Sequence, residues 1–556
     1  MRLAAIDVGT NSIRLIVAEV AADGSYRILD DEKEITRLGQ GLDASGRLSP
    51  EAMEKASSAV ERMRGIAEGY GADVIRAIGT AAVREAKNRD EFLGLVQERA
   101  GIPIEPISAE DEARLAFLSV AHSFDLHDAN VAIADVGGGS TEIVLASGGV
   151  VEQVFTVPLG AVRVAERFPG CTTGDVGALE DMDRAIKKTM KEWIRQPAFS
   201  PQYLIGTGGT FTTLAAISMH RGATGTGPDM LPFTPRGYEI QRSEVRHILD
   251  WLDQMPVRQR LRVPGLSADR AEIIVPGLAI VERAMRRLKV NTLKVHDRGI
   301  RDGLLLTMIA ERMPNGSGAT PGMVDRWRAL KHFATACRYE EAHSNHVADL
   351  AMQLFDQIVE QSSESLEGCN DRSARDLLLA AGILHDVGYL INYSRHHKHS
   401  YHLIVHSDIA GFSHRELELI ANIARYHRRA EPTLDHPTFA KLPKRDRRLV
   451  RKLSGILRIA DGLDRTHTQN VAGVTVSVRD EEVVLSVGAK DNPAVDIWGA
   501  ERKSGLFRRY VGLSPRFEWA GSGSASVSRN GAAEARADMP SPRQGGRLSG
   551  LPHQPQ

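Results

Sequence analysis

The chain has few cysteines and few aromatic residues, and it lacks long hydrophobic runs. Its three cysteines, Cys171, Cys337 and Cys369, lie far apart and form no CxxC pair. That spacing argues against a disulfide framework and favours a reducing compartment. No stretch approaches the roughly 20 apolar residues of a membrane helix, and the apolar run before Asp7 is too short for a signal peptide. We therefore expect a cytoplasmic protein with no membrane partner.

The chain also lacks an excess of charge of either sign. It carries 70 Lys and Arg residues against 71 Asp and Glu residues, for a formal net charge of −1. This balance gives no global attraction to nucleic acid, which we do not expect as a partner. No Walker A motif is present, so a P-loop NTPase is disfavoured. At roughly 100–200 residues per domain, 556 residues predict about three or four domains.

Short apolar strands lead into glycine-rich turns at three places. The first two turns each begin with an aspartate, Asp7 and Asp135, and we interpret the repeat as an internal duplication giving two similar α/β lobes. The residues of the three turns that we predict to bind substrate are Gly9, Thr10, Asn11 and Ser12; Gly137, Gly138, Gly139, Ser140 and Thr141; and Gly208, Gly209 and Thr210.

These turns suit a bound phosphate. Glycine lets backbone N–H groups approach an anion, and the serine and threonine hydroxyls add donors. Carboxylates beside a phosphate are repulsive unless a cation intervenes, so the sequence predicts Mg²⁺ held by Asp7, Asp135 and Glu142. The alternative is a tight hairpin turn in which Asp135 only satisfies turn amides.

Hydrolysis of a phosphoanhydride needs a group that orients or deprotonates water, and Glu112 is the candidate. It lies in the first turn of a helix whose start is indicated by a capping pattern of Ser108 and Asp111. An acid there is also favourable through the helix dipole alone, so the residues by themselves do not separate Glu112 from Glu110 or Asp111. Arg84, just past a short strand, could clamp a phosphate through two N–H donors.

In their order along the chain, these motifs resemble the exopolyphosphatase/guanosine pentaphosphate phosphatase (Ppx/GppA) family. The resemblance covers roughly residues 1–310 and continues through a helical region to about residue 510. It implies a duplicated two-lobe actin-like (ASKHA, ribonuclease H-like) ATPase fold of the α/β class, Mg²⁺ dependence, and removal of terminal phosphates from inorganic polyphosphate or pppGpp. A homodimer is a further expectation. The motifs are residues 7–12 with Arg14, 79–81 with Arg84, 107–115, 135–142 and 206–210.

The family's functional positions fall on matching residues here. The resemblance implies that Glu112 activates water, that Asp135 and Glu142 are the loop carboxylates, and that Gly137 binds phosphate. Arg84 matches the arginine that follows the Gly-Thr strand. Arg14 and Arg84 complete the predicted substrate-binding set. None of these positions departs from the family pattern, so an active cleft is predicted.

A histidine-rich helical region follows. Its order of a histidine, a His-Asp pair and a distal aspartate resembles the HD-domain metal phosphohydrolases. Imidazole with carboxylate suits Mn²⁺ or another transition metal better than Mg²⁺. Asp461 extends an apolar helical stripe and needs a cationic partner. The alternative is a set of buried, hydrogen-bonded histidines. The predicted ligands are His346, His385, Asp386 and Asp461, with His399 and His427 at second-metal positions.

These patterns predict five regions. They are an actin-like lobe I at residues 1–124, lobe II at 125–312, an all-α HD-type domain at 313–470, a small β-rich segment at 471–515, and a disordered tail at 516–556.

We therefore predict an exopolyphosphatase that releases orthophosphate from inorganic polyphosphate. The alternative in the same class is a pppGpp 5′-phosphohydrolase, which the turns cannot distinguish. A basic run over residues 441–452 favours a polymer, unless it is only a solvated helix face. Alternatives from other classes are an actin-like nucleotide sensor or chaperone, a sugar or acetate kinase, and a protein whose catalyst is the HD-type domain.

Overall fold

The computed structural model describes residues 1–22, 24–127, 129–173, 177–222, 235–313, 326–407, 409, 411–479 and 481–520. Within these residues, no helix is both long and apolar enough to cross a membrane. The chain forms two compact units. Unit 1 comprises Met1–Ala336 with Ile404–Glu418, and unit 2 comprises Cys337–Leu403 with Leu419–Gln556.

Unit 1 begins with a lobe built on a five-stranded sheet. Its elements are β1 (Arg2–Val8), β2 (Ser12–Val20), β3 (Tyr26–Ile35), α1 (Leu42–Ser45), α2 (Pro50–Gly69), β4 (Val74–Gly79), α3 (Ala81–Glu85), α4 (Arg89–Ala100), β5 (Ile104–Pro106) and α5 (Ala109–Ser123). The strand order is β3-β2-β1-β4-β5. The side chain of Ser49 caps α2 by accepting a hydrogen bond from Ala52 N over 3.1 Å.

The second lobe has a six-stranded sheet. Its elements are β6 (Asn130–Val136), β7 (Thr141–Ser147), β8 (Val150–Val157), α6 (Ala161–Arg167), α7 (Gly170–Thr173), α8 (Ala178–Trp193), β9 (Tyr203–Thr207), α9 (Gly209–Gly222), β10 (Glu239–Gln241), α10 (Arg242–Asp253), α11 (Val257–Arg260), α12 (Ile274–Leu288), β11 (Thr292–Val295) and α13 (Ile300–Arg312). A final helix of unit 1, α14, spans Arg326–Ala336.

The two sheets share one arrangement. The strand order of the second is β10-β11-β9-β6-β7-β8. In both lobes the first strand pairs antiparallel with the second and parallel with the fourth: β1 with β2 and β4, and β6 with β7 and β9. The first strand of each lobe therefore lies in the middle of its sheet, and the turn after it opens at the carboxyl end of the parallel strands.

Helix α13 packs with the first lobe although the chain reaches it from the second. Leu304, Leu305 and Met308 of α13 are buried with Leu3 and Ala5 of β1. This differs from the predicted division, which ended lobe II at residue 312. Helix α5 contributes to this core and also to the core of the second sheet, so it lies between the two sheets.

Unit 2 is helical with a small sheet. Its elements are α15 (Glu341–Gln361), α16 (Arg372–Leu384), α17 (His396–Val405), α18 (His414–Arg425), α19 (Pro437–Ala440), α20 (Lys444–Leu463), β12 (Val471–Arg479), β13 (Glu482–Ala489), α21 (Ala494–Lys503), α22 (Gly505–Val511) and β14 (Ser514–Trp519). The end of α17 and the start of α18, within Ile404–Glu418, group with unit 1.

Strands β12 and β13 pair antiparallel, and the segment predicted to be β-rich, residues 471–515, also contains helices. Two helices, α21 and α22, separate β13 from β14, which pairs parallel with β13. The outer edge of β12 is covered by three glutamines of α15. Gln353, Gln357 and Gln361 accept from the amides of alternate strand residues, and Gln357 and Gln361 also donate to strand carbonyls. The predicted disordered tail began at residue 516, but residues 516–519 belong to β14, and the part of the tail beyond residue 520 lies outside the described residues.

Candidate functional site

A cleft between the two lobes of unit 1 brings the three glycine turns together. Most of the predicted residues line it: Asp7, Gly9, Thr10, Asn11, Ser12, Arg14, Glu112, Asp135, Gly137, Gly138, Gly139, Ser140, Gly208, Gly209 and Thr210. The first two turns meet directly, because a Cβ atom on Gly138 or Gly139 would lie 2.9 to 3.1 Å from atoms of the Thr10 side chain.

The first two turns have the same backbone geometry. Gly9 N donates to Ser12 O over 3.1 Å, and Gly137 N donates to Ser140 O over 3.0 Å. In the strand register, Asp7 lies opposite Arg14, and Asp135 lies opposite Glu142. One lobe therefore places an arginine where the other places a glutamate.

Helix α6 holds the second turn from behind. The amides of Ala161 and Val162 donate to the carbonyls of Gly137 and Gly138 over 2.9 and 3.0 Å. A Cβ on Gly160 would collide with the backbone of Gly138 and Gly139, so only glycine allows this approach. The carbonyls of Gly137 and Gly138 thus accept their hydrogen bonds from the first residues of α6. No local sequence pattern indicates Gly160, because the constraint comes from a backbone 22 residues earlier.

The structure separates Glu112 from its acidic neighbours. Ser108 caps α5 by accepting a hydrogen bond from Asp111 N over 3.0 Å, and Glu110 and Asp111 are not buried. Glu112 is buried, with 6% of its surface exposed, and lines the cleft. Burial raises the pKa of Glu112 to about 7, and Arg84 opposes that rise. A carboxyl with a pKa near neutrality suits a general base.

Arg84 does not line the cleft. Its Nη1 donates to Glu112 Oε2 over 2.9 Å and to Ile107 O over 3.1 Å. Arg84 was predicted to clamp a phosphate, but in this structure it binds Glu112, the predicted base. Among the described residues, the other oxygen of Glu112, Oε1, accepts no hydrogen bond.

Three further carboxyl groups lie at the cleft, with Glu142 buried and Asp7 and Asp135 half-buried, and two of the three have unsatisfied oxygens. Asp7 Oδ1 and both oxygens of Glu142 have no hydrogen-bond partner among the described residues. Burial raises the pKa of Asp7 to about 6, although the charges of Arg14 and Arg301 oppose that rise. Burial also raises the pKa of Asp135, and burial and the Glu112 charge raise the pKa of Glu142 well above its ordinary value. Such acids favour a cation or a proton.

The predicted Mg²⁺ residues fit a cation only in part. Asp7 and Asp135 line the cleft, but Glu142 does not and is 1% exposed. No three ligand atoms of the cleft's described acids lie within 4.8 Å of one another. Mg²⁺ commonly uses one or two carboxylates with phosphate oxygens and waters, and Asp7 and Asp135 can provide the carboxylates.

Thr141 also lies outside the cleft lining. Its hydroxyl donates to Leu159 O over 2.5 Å, and the residue is fully buried. The predicted role of Thr141 as a phosphate donor is therefore not supported by its position.

Four arginines line the cleft, and the sequence analysis named only one of them, Arg14. Arg301 is bound to Asp31 and Leu15 O, and Arg298 to Tyr26. Arg14 and Arg270 form no ion pair with a described residue. Burial, together with Arg14, lowers the pKa of Arg270 to about 10. Two cations left without carboxylate partners favour an anion. Arg270 lies far from every motif in the sequence, so no local pattern could indicate it.

Unit 2 contains a second buried cluster, which we call the His/Asp centre. Two groups of potential metal ligands share Asp386, with their ligand atoms within 4.8 Å. The groups are His343, His385 and Asp386, and Asp386, His396 and His427. His385, Asp386 and His427 were predicted. The structure replaces His346 with His343 and His399 with His396, each three residues earlier on the same helix face.

All four imidazoles of the centre direct Nε2 toward Asp386 and Nδ1 toward an oxygen acceptor. Their Nδ1 atoms lie within hydrogen-bond distance of an oxygen acceptor: Asp464 Oδ2 at 2.8 Å for His343, Gly382 O at 2.7 Å for His385, Tyr393 O at 3.1 Å for His396, and Ala424 O at 2.7 Å for His427. An Nδ1–H donated to oxygen leaves Nε2 as the lone-pair atom. The four Nε2 atoms lie 3.1 to 3.9 Å from Asp386.

Charges within the centre compensate one another. Burial opposes protonation of His385, but Asp386 raises its pKa to about 9. Burial opposes ionisation of Asp461, and Lys503 with His427 and His385 holds its pKa well below the ordinary value. Asp461 Oδ2 accepts a hydrogen bond from Lys503 Nζ of α21. The cationic partner that Asp461 needs is therefore supplied in part by the protein.

Two protein-family models match this chain. Residues 326–492 match domain III of the Ppx/GppA phosphatases, and residues 16–312 match the Ppx/GppA phosphatase family. An exopolyphosphatase from Cytophaga hutchinsonii is 25% identical, with a TM-score of 0.51 over 56% of this chain and 98% of its own. An exopolyphosphatase-like protein is 26% identical, with a TM-score of 0.50 over 55% of this chain and 97% of its own.

A Ppx/GppA family member from Aquifex aeolicus is 28% identical over 56% of this chain and 98% of its own, with a TM-score of 0.47. The likeness to the Cytophaga structure supports the predicted actin-like fold over the part that it covers. The match to residues 16–312 alone spans more than half of the chain. The protein therefore belongs to the Ppx/GppA phosphatase family.

Proposed function

We propose that this protein is an exopolyphosphatase that hydrolyses the terminal phosphoanhydride bond of inorganic polyphosphate and releases orthophosphate. One observation carries the proposal. The buried carboxyl of Glu112, with a pKa of about 7, shares a cleft with glycine turns and with Arg14 and Arg270, which form no close ion pair with a described residue. A base and an anion site thus occur together.

The cleft residues would divide the work of the reaction. Backbone amides of Gly138 and Gly139, with the hydroxyl of Ser140, bind the terminal phosphate. Asp7 and Asp135 would hold Mg²⁺, which supplies positive charge that offsets the charge of the phosphate. Arg14 and Arg270 bind the phosphates that follow the terminal one. Each of these groups lines the cleft.

Glu112 removes the proton from the attacking water. The water oxygen forms a bond to the terminal phosphorus, while the bond from that phosphorus to the bridging oxygen breaks. The products are orthophosphate and a chain shortened by one unit, and Glu112 carries the proton away. Arg84 fixes Oε2 of the carboxylate, so Oε1 is the oxygen that accepts the proton.

The lining favours a phosphate chain over a nucleotide as the substrate. It consists of charged side chains, glycines and hydroxyl residues, with only aliphatic side chains among its apolar members. A guanine base is usually held by stacking and edge hydrogen bonds, whereas a polyphosphate offers only anionic oxygens. The four lining arginines suit anionic oxygens and not a guanine base, so polyphosphate is preferred to pppGpp as the proposed substrate.

Phosphate release from long-chain polyphosphate, pppGpp and ATP, each with Mg²⁺, tests the proposal. We expect the fastest turnover with polyphosphate, and a loss of about 10²-fold or more in Glu112→Gln. Glu110→Gln, an acid outside the cleft in the same helical turn, is the matched control and keeps normal turnover. Faster turnover of pppGpp would assign that substrate, and near-normal turnover in Glu112→Gln would remove Glu112 from its role.

We also propose that the His/Asp centre binds a divalent transition metal. Four buried lone pairs converge on a carboxylate, and the Nε2 atoms of His343 and His385 have no hydrogen-bond partner among the described residues. Imidazole with carboxylate is a donor set typical of Mn²⁺, iron, zinc or nickel. The hydrogen bonds at Nδ1 fix the tautomer and orientation that metal ligation requires.

Metal analysis of the full-length protein after dialysis against Mn²⁺ tests this second proposal. We expect His385→Ala to lose the metal. His399→Ala, which removes a histidine outside the centre, is the control and retains it. Equal metal content in the two variants would contradict the proposed site.

A further inference from the structure

The His/Asp centre has two halves on opposite oxygens of Asp386. In the first half, His343 and His385 lie 3.9 and 3.4 Å from Oδ2 through their Nε2 atoms. In the second half, His396 and His427 lie 3.1 and 3.5 Å from Oδ1. By its ligand types alone, the centre would accommodate two metal ions bridged by one carboxylate.

The second half already contains a cation. Arg428 Nη1 lies 3.1 Å from Nε2 of His396. The same nitrogen lies 3.5 Å from Nδ1 of His396, whose own hydrogen-bond partner is the carbonyl of Tyr393. Arg428 Nη1 is thus close to both ring nitrogens, so it lies over the face of the imidazole and not on the lone pair of Nε2. A fixed positive charge therefore stands against the imidazole that would ligate a metal in this half.

The first half is open to a metal. The Nε2 atoms of His343 and His385 are buried and have no hydrogen-bond partner among the described residues. Lys503 binds Oδ2 of Asp461, which leaves Oδ1 of Asp461 at 3.7 Å from Nε2 of His343. Lys503 therefore neutralises Asp461 from outside without occupying the space between the imidazoles.

We infer that the centre holds one metal ion, in the first half, and that Arg428 occupies the second half as a permanent cation in place of a second metal. The inference rests on the proposed metal binding. Like charges a few ångströms apart repel strongly in a buried site, and Arg428 cannot lose its proton to relieve that repulsion. The ligands of the single ion are His343, His385, Asp386 and Asp461.

Titration of the full-length protein with Mn²⁺ in excess Mg²⁺, which keeps Mn²⁺ out of the cation site proposed for the cleft, tests the inference, with stoichiometry from calorimetry and spin coupling from electron paramagnetic resonance. We expect one Mn²⁺ per chain with the spectrum of an isolated ion. Arg428→Met should bind a second Mn²⁺ with a spin-coupled signal, because the guanidinium is gone. Arg428→Lys, which keeps the charge, and Arg429→Met, which removes the exposed neighbouring arginine, should stay at one.

Single-ligand variants keep the inference testable if Arg428→Met fails to fold. His343→Ala should lose the ion, and His396→Ala should retain it with less than about a threefold change in affinity. Two Mn²⁺ per chain in the unaltered protein, or a metal that depends equally on both histidines, would overturn the single-ion assignment and leave metal binding intact. No bound Mn²⁺ at all would overturn the proposed centre and this inference with it.

Discussion

Arg84 donates a hydrogen bond to Glu112 across the wall of the cleft, with 2.9 Å between Nη1 and Oε2. The same nitrogen is held by Ile107 O, so the guanidinium has little freedom to leave. Burial pushes the pKa of Glu112 upward to about 7, while Arg84 is the strongest opposing influence. Arg84 thus determines how much of the proposed base is ionised near neutral pH.

Arg84→Met should move the acidic limb of the pH profile to higher pH. Without the guanidinium, the neutral form of Glu112 is favoured, so the base is lost at a higher pH than in the unaltered protein. At a pH well below both pKa values, raising the pKa of Glu112 by about 1 lowers kcat/KM by about tenfold. The measurement is kcat/KM for phosphate release between about pH 5 and pH 9, a range centred on the pKa of Glu112.

Arg84→Lys should give an intermediate profile, because it keeps the charge but not the fork of donors. Arg89→Met, which removes an exposed arginine close by in the sequence, should leave the profile unchanged. A uniform loss of activity without movement of the acidic limb would show that Arg84 acts on something other than the ionisation of Glu112.

Glu142 should make the protein less stable as the pH rises. Burial and the Glu112 charge hold its pKa well above the ordinary value of 4.5. From pH 4.5 up to the raised pKa, the folded chain binds more protons than the unfolded chain. The free energy of unfolding therefore falls as pH rises through that window.

Glu142→Gln removes this titration, so its melting temperature should exceed that of the unaltered protein by a larger margin at about pH 8.5 than at about pH 5. We expect the two margins to differ by at least about 2 °C, measured by calorimetry in EDTA to exclude bound metal. Glu110, which lies outside the cleft, gives the control, Glu110→Gln, which should show no such dependence. Equal margins at the two pH values would argue that Glu142 is ionised in the folded protein.

Arg270 should affect the binding of substrate more than the chemical step. It lines the cleft from the second lobe next to Gly209 and has no ion-pair partner among the described residues. Arg270→Met should raise KM for polyphosphate by about tenfold, since a hydrogen bond to a charged group contributes about 1.5–3 kcal/mol. Its kcat should change less than threefold.

Arg262→Met is the matched control for Arg270, because Arg262 is exposed on the same segment. The effect of Arg270→Met should weaken as salt increases, since the salt dependence of binding scales with the number of phosphate contacts. A loss confined to kcat would place Arg270 at the reacting phosphate instead.

The local motifs were predicted well because their geometry depends on neighbouring residues. The turns at Gly9 and Gly137 close with the same hydrogen bond three residues on, and a glycine shortly after an aspartate at a strand end is enough to indicate that. Glu112 could not be separated from Glu110 by sequence. The separation depends on which side of α5 faces the cleft, and this follows from packing between the two sheets.

The remaining errors come from contacts between distant parts of the chain. His343 and His346 lie one helical turn apart, and only the packing of α15 against α16 and α20 decides which one faces Asp386. The partner of Asp461 is Lys503, 42 positions later on α21, a helix that the sequence did not reveal. Arg270 and Gly160 were missed for the same reason.

Gly160→Ala should lower activity strongly while leaving the protein folded. A methyl group there would collide with the backbone of Gly138 and Gly139, so the turn must move toward Thr10 in the opposite lobe or α6 must move away. Either shift breaks the hydrogen bonds from Ala161 and Val162 that fix the carbonyls of the turn. We expect kcat/KM for polyphosphate to fall by about 10²-fold, as for about 1 Å of misplacement at a reacting centre.

Gly94→Ala, in α4 where a Cβ meets nothing within 4 Å, is the control and should raise the melting temperature slightly, because alanine is the better helix former. Normal kcat/KM in Gly160→Ala would mean that the position of the turn at Gly137–Gly139 does not limit the reaction, and the proposed phosphate site would then have to lie elsewhere in the cleft.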